Sequence, residues 1–432
     1  MKIISSIWQK DVTMRSFPSL DGDKECDVLI IGGGISGILC AYMLDKKGVN
    51  YILVESDVIC NKTTANTTAK ITSLHGFIYS RLLKEFNSDF ARLYYEANEE
   101  AISKYEDLCK SIDCDFQKCD SYIYSFENKS LLEKEISAIK RIGIDAEMVE
   151  GLNLPFKTVG AIKFKNQASF NPLKFLNEIA KNLNIYESSH IDKLKGTTAY
   201  TEKYKISAKK IVFATHFPFM DKHGLYFAKM YQEKSYALAL KGTKKIDGMY
   251  IDDKEKLSLR MYGDYLIMGG QSHRTGKKCD GFSKLEEMAK NYFPENIIKF
   301  RWTTEDCVTL DGVPYIGKYW GGSDDIYVIT GFNKWGMTSS MIGAELISDL
   351  ITEKENKYEK IFSPQRSMLR KQLVKNMGEA LVGIVNFSNK RCTHLGCRLK
   401  WNKKEKVWEC PCHGSKFDED GVVLNGPANK NL

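Results

Sequence analysis

The hydrophobic pattern first sharpens at Cys26-Asp27-Val28-Leu29-Ile30-Ile31, a run of the kind that fills a parallel strand buried on both faces. Glycines end it. Beyond Gly37, the residues Ile38, Leu39, Ala41, Tyr42, Met43 and Leu44 recur at helical spacing as far as Gly48. A second apolar run, 51–54, closes at Glu55, and together these elements predict a complete βαβ unit. Residues 80–145 read as a helical covering layer, with charged amphipathic stretches at 92–108 and 131–142. Strand-like segments dominate from there to about 300. Among them 210–215 is another buried strand, and 256–268 alternates around Gly263-Asp264 as an antiparallel hairpin does. A strand over 326–330 and a helix from Met337 to Leu350 follow, ending in the charged stretch 352–360, which reads as a linker. Residues 364–377 then read as helical and 381–387 as a strand. A last small unit carries turn signals at Asp420-Gly421 and Asn425-Gly426-Pro427.

A length of 432 residues allows two to four domains, and 43% hydrophobic with 27% charged residues is ordinary globular composition. The net charge of +8 is spread along the chain rather than gathered in a stripe, which argues for solubility and against a nucleic-acid partner. No apolar stretch approaches the roughly 20 residues of a membrane span, and the amino end is too soon polar for a secretory signal. The expected compartment is the cytoplasm. Of 12 cysteines, four fall within 392–412 beside two histidines, a clustering that points to metal rather than a disulfide network. Cys109, Cys114 and Cys119 match no ligand spacing and read as structural.

The six residues Gly32-Gly33-Gly34-Ile35-Ser36-Gly37 fit Gly-x-Gly-x-x-Gly between a buried strand and a helix. Gly32 makes the tight turn, Gly34 lets the backbone approach a pyrophosphate, and Gly37 lets helix pack on strand, with N–H groups of the helix start facing the phosphates. Glu55, 23 residues after Gly32, can accept hydrogen bonds from both hydroxyls of an adenosine ribose. The motif alone does not choose between nicotinamide and flavin. The hydroxyl-rich loop 63–76 that follows, Thr63-Thr64-Ala65-Asn66-Thr67-Thr68-Ala69-Lys70-Ile71-Thr72-Ser73-Leu74-His75-Gly76, resembles the FAD-dependent oxidoreductases of the D-amino-acid oxidase and glycine oxidase superfamily. So do Phe213-Ala214-Thr215-His216, the segment 311–317, and Thr330-Gly331 through Gly336-Met337, and the resemblance covers about 25–352. It implies an FAD site made by Gly32, Gly33, Gly34, Ser36, Gly37, Glu55, Thr68, Ala69, Lys70, Thr215, Gly331, Gly336, Met337 and Thr338. The last three would lie where a helix start stabilises the anionic reduced ring, with core packing the alternative role for the Trp335 and Met337 side chains. His75, Arg260, His273 and Arg274 are the candidates for the substrate face.

At the other end, Cys392-Thr393-His394-Leu395-Gly396-Cys397 and Cys410-Pro411-Cys412-His413-Gly414-Ser415 put two thiolates and two imidazoles on two loops. Zinc in a tetrahedral site is one reading of such a set. The loops, with Phe417-Asp418 and 425–428 after them, also resemble a Rieske domain. That resemblance implies a [2Fe–2S] cluster with Cys392 and Cys410 on one iron and His394 and His413 on the other, and a Cys397–Cys412 disulfide as in one branch of the family. Only about 40 residues separate Leu350 from Cys392, so the strands that normally form the base of such a domain are largely missing.

The expected fold is α/β and α+β: a Rossmann-like FAD-binding domain with an interleaved antiparallel-sheet substrate domain, plus a small all-β Rieske-type unit. The expected boundaries are an extension over 1–25, an oxidoreductase domain over 26–352, a linker over 353–377 and the cluster unit over 378–432. Within 26–352, FAD-binding parts fall at about 26–80, 150–220 and 300–352, and substrate or cap parts at 81–149 and 221–299. The resemblances imply an FAD enzyme that oxidises an amine or amino-acid-like donor and passes electrons through the cluster to an unidentified acceptor. Two alternatives stay open: a simple flavoprotein oxidase whose tail has lost its cluster and only docks, and a redox sensor or carrier without turnover.

Overall fold

Burial on both faces accounts for the apolar runs. The computed structural model describes residues 6–220, 223–254, 256–277, 279–385, 390–403 and 405–432. In it Leu29 and Ile30 are wholly buried, in a strand Lys24–Ile31 at the middle of the first sheet. The order across that sheet is Tyr315–Lys318, Ile326–Thr330, Lys205–Phe213, Lys24–Ile31, Tyr51–Val54, Ile185–Tyr186. The inner pairings are parallel. Tyr315–Lys318 pairs antiparallel at one edge, and Thr198–Tyr200 with Lys193–Lys195 branches from Lys205–Phe213. Helices Ile35–Lys46 and Gly336–Ile351 pack on one another, the second pressed so close to the sheet that a Cβ on Gly343 would stand 2.5 Å from Ile329 Cγ2. The parallel strands end together at Ile31, Val54, Phe213 and Thr330, so the loops after them surround one crevice.

The second sheet has nine strands, ordered Ile297–Thr309, Met230–Lys241, Tyr265–Arg274, Leu257–Tyr262, Met249–Asp252, Gln117–Ser125, Gly160–Ser169 and Lys70–Ile71, with Glu147–Val149 beside Gly160–Ser169. It is antiparallel except where Met249–Asp252 meets Gln117–Ser125. The hairpin at Gly263-Asp264 is present, with Tyr262 opposite Tyr265. Three expectations need correction. Helices Ile78–Glu85, Ser88–Cys109 and Lys129–Arg141 do fill most of 80–145, but Gln117–Ser125 between them is an inner strand, because Ile123 and Tyr124 are buried on opposite faces. Gly160–Ser169 and Ile297–Thr309 run in this sheet rather than in the first, so the chain crosses between sheets more often than its punctuation suggests. Of the expected extension, the described residues are packed onto the domain: Ile7 and Trp8 are buried, and Trp8 Nε1 donates to the Thr67 carbonyl at 2.8 Å.

The charged stretch after Ile351 is a fastened strap. Arg366, 5% exposed at its side chain, forks onto Asp311 (2.9 and 3.1 Å) and donates to the carbonyls of Val313, Pro314, Ile361 and Ser363. Next comes helix Lys371–Val385, so 381–385 are helical rather than strand, and 386–387 lie outside the described residues. A short continuous apolar run fits either state, and docking decides it: Asn376 Nδ2 donates to the Ala228 carbonyl (3.1 Å) and Asn376 Oδ1 accepts from Arg274 Nη1 (3.1 Å). A four-stranded antiparallel sheet, Lys400–Asn402, Val407–Glu409, Lys416–Phe417 and Val423–Asn425, ends the chain. Its core is Cys392, Cys397, Leu399, Cys410, Cys412, Phe417 and Ala428. Among the described residues no helix is long and apolar enough to cross a membrane.

Candidate functional site

The glycines of the first turn are there because nothing larger fits. Gly32 has φ +112°, and a Cβ on it would stand 2.6 Å from the Ala214 carbonyl oxygen; one on Gly37 would stand 1.9 Å from the Gly32 carbonyl oxygen. Gly34 caps helix Ile35–Lys46, and Ile35 N–H donates to Thr64 Oγ1 at 3.1 Å. Glu55 is aimed by three donors: Gly33 N (2.7 Å) on one oxygen, Ser56 Oγ (2.9 Å) and Asp57 N (3.0 Å) on the other. Opposite, the loop 63–70 is held from behind. Its carbonyls at Asn66, Thr67 and Thr68 accept from Trp302 Nε1 (2.9 Å), Trp8 Nε1 (2.8 Å) and Arg260 Nε (2.5 Å). These elements enclose a cavity of about 860 Å³, large enough for a dinucleotide. Of the residues expected to hold FAD, Gly32, Gly34, Ser36, Glu55, Thr68, Lys70, Thr215, Gly331, Gly336 and Met337 line it. Gly33, Gly37, Ala69 and Thr338 do not, and they act from behind: Ala69 makes a left-handed turn (φ +53°), and Thr338 is buried against His75.

The two cysteine loops mirror one another. In one, Cys392 N donates to the Cys397 carbonyl (2.8 Å) and Gly396 N to the Cys392 carbonyl (2.9 Å); in the other, Cys410 N donates to Ser415 O (2.8 Å) and Gly414 N to Cys410 O (2.9 Å). A Cys397–Cys412 disulfide ties the loops. The sulfurs of Cys397, Cys410 and Cys412 lie within 4.8 Å of one another, but the bridge leaves only Cys410 of the three as a thiolate ligand. Its neighbour Cys392 is held at about 6 by a hydrogen bond from Cys410, against the burial that raises it. The His394 and His413 rings stand 5.0 Å apart at right angles. His413 Nε2 donates to the Phe227 carbonyl (2.9 Å), so this nitrogen carries the ring proton and Nδ1, buried and without a hydrogen-bond partner, keeps its lone pair. That donor set fits a metal centre.

A family model described as FAD dependent oxidoreductase, DAO, matches residues 27–350. The chain belongs to that family. A Rieske [2Fe-2S] domain model matches residues 365–432 of the same oxidoreductase. The putative Rieske 2Fe-2S iron-sulfur protein YhfW of Bacillus subtilis is 36% identical over 490 residues, covering 98% of this chain and 96% of that one. Cytochrome b6-f complex iron-sulfur subunit 2 of Trichormus variabilis is 51% identical over 51 residues, which are 12% of this chain and 26% of the relative. Glycine oxidase from Geobacillus kaustophilus shares the fold, with a TM-score of 0.68 at 17% identity over 80% of this chain and 100% of its own. FAD and a [2Fe–2S] cluster are the cofactors of this oxidoreductase, which sets zinc aside.

The four residues expected on the substrate face of the oxidoreductase do not line the cavity. His75 donates from Nε2 to the Thr72 carbonyl (2.6 Å), accepts at Nδ1 from Tyr94 (2.7 Å), and stacks on Trp335, which does line it. Burial holds its pKa near 3, so it is a neutral brace. Arg260, 2% exposed, spends its donors on the carbonyls of Thr68, Met261 and Phe170. His273 stacks on Tyr236, and Arg274 lies over Tyr231 and bonds Asn376. His75, Arg260 and His273 back residues of the cavity wall from outside, whereas Arg274 ties its strand to helix Lys371–Val385, a difference invisible without tertiary partners. Among the polar residues that do line the cavity are Lys70, Ser235, Tyr236, Ser258, Ser272 and Lys334. Burial first and the Arg260 charge second bring Lys70 down to about 7. The serines carry no signal in one sequence; only the strand register turns them to one face.

Proposed function

We propose that this oxidoreductase takes two electrons from an amine or amino-acid-like donor and delivers them singly through its Rieske centre to an acceptor. Bound FAD supplies hydride acceptance from a C–H next to nitrogen, and the cluster supplies one-electron transfer. The observation that carries the reading is Phe217. It is 3% exposed, follows Thr215 and His216 beyond strand Lys205–Phe213, and lines the flavin cavity. Its ring meets those of His413 (5.8 Å) and His394 (6.2 Å) edge-on, so one side chain borders both cofactor sites. On the cavity wall, Ser235, Ser258, Tyr236 and Lys70 offer donors to a carboxylate, and Trp335, held by its stack on His75, excludes water beside them. The structural likeness to a protein titled glycine oxidase supports an amino-acid-like donor. In the test, glycine, proline and simple secondary amines are added anaerobically while flavin absorbance and the electron paramagnetic resonance of the cluster are followed. The reading expects at least one donor to bleach the flavin and produce the reduced-cluster signal, and to bleach the flavin alone in Cys392→Ser. A panel in which no donor reduces the flavin contradicts it.

A further inference from the structure

The cluster unit does more than sit beside the flavin domain. Residues 423–431, its last strand and tail, line the same cavity as Gly32 and Glu55. The tail is pinned to the adenosine side of that cavity. Asn429 Nδ2 donates to the carbonyls of Ile191 (3.0 Å) and Asp192 (3.2 Å), while Ser189 in the same loop donates from its N–H to the Glu55 carbonyl (2.8 Å). Asn425 Nδ2 donates to Glu305 Oε2 (2.8 Å), and Lys416 pairs with Glu305 Oε1 (2.5 Å), which anchors the neighbouring strand. The same tail reaches both ligand loops: Thr393 Oγ1, between Cys392 and His394, donates to the Lys430 carbonyl (2.6 Å), and Ala428 N donates to Ser415 Oγ (3.0 Å).

We infer that residues 423–431 are a structural wall of the FAD site, so that binding of FAD and docking of the cluster unit reinforce one another. Ribose-binding Glu55, the loop 189–192 and Asn429 form one connected layer, and a dinucleotide on Glu55 orders all three. Linkage then runs both ways: a tail ordered by FAD holds Thr393 and Ser415, and a docked tail lowers the ordering cost of FAD. The inference rests on the FAD site and is independent of which way electrons flow.

Full-length protein stripped of flavin and titrated with FAD provides the test, with fluorescence quenching as the readout. Asn429→Ala, which removes two hydrogen bonds, is expected to raise the FAD dissociation constant about tenfold. Asn429→Asp, equal in size but turning a carboxylate toward two carbonyl oxygens, is expected to raise it further. In the unmutated protein, amide hydrogen exchange across 423–431 is expected to accelerate when FAD is removed. Unchanged FAD affinity in both variants overturns the inference. So does exchange in 423–431 that is indifferent to FAD.

Discussion

In the flavin-binding half, two segments that face the cavity are backed by large buried side chains: Trp8, Trp302 and Arg260 behind 63–70, Tyr94 and His75 behind Trp335. Among its described residues the cluster unit has a smaller reserve, with Phe417 its one wholly buried aromatic side chain. Its strands are two or three residues long, and four of the seven residues in its core are cysteines. Its stability is therefore borrowed from the metal, from the disulfide and from the flavin domain, through Lys234 with Glu405 and Glu409, and Lys416 with Glu305. One half is a preformed site that receives a cofactor. The other is completed by its cofactor and its neighbour.

The sharpest way to break the comparison is Cys392→Ser. Iron and acid-labile sulfide are expected to vanish, and limited proteolysis to cut within 390–432, while flavin stays bound, though less tightly; a variant equally resistant to protease would place the unit's stability elsewhere. Next in size is Asp311→Asn in the flavin half. Burial raises the Asp311 carboxyl, and the Arg366 charge outweighs it, so the group sits below its usual range. Removing the charge strands Arg366 and is expected to cost about 3 kcal/mol, read as a fall in Tm at pH 7. Because the folded value is the depressed one, this contribution is present above the unfolded carboxyl value near 4 and lost as pH falls through the lower folded value. The Tm gap between variant and parent therefore narrows in acid. The smallest effect is at Lys70. With its pKa near 7, the flavin absorbance of the parent is expected to shift with a midpoint near pH 7, and Lys70→Met to abolish that step without changing Tm by more than a few degrees. A step that persists in Lys70→Met assigns it to another group.

How much was legible in the sequence follows the same division. The strand, glycine turn, helix and Glu55 were readable because each is a local pattern whose partners lie within about 30 residues. The cluster domain was readable because its two Cys and His loops resemble the Rieske pattern beyond the cysteines and histidines themselves. What could not be read was any role set by distant partners. Arg260 and His75 look like site residues until Thr68, Phe170, Thr72 and Tyr94 are found consuming their hydrogen-bonding groups. The segment 353–377 looks like a linker because its charge is visible and the buried Asp311 that receives Arg366 is 55 residues away. Likewise, the apolar stretch 381–385 could not declare helix or strand, and the tail 423–431 gave no hint that it walls a cavity more than 350 residues earlier in the chain.

The most direct test of the central claim is light-driven anaerobic reduction of the flavin with EDTA as the sacrificial electron donor and no amino-acid substrate, monitored by electron paramagnetic resonance. The account predicts a reduced Rieske signal that grows as the flavin is reduced, at a rate independent of protein concentration. A fully reduced flavin beside a cluster that stays oxidised would contradict it.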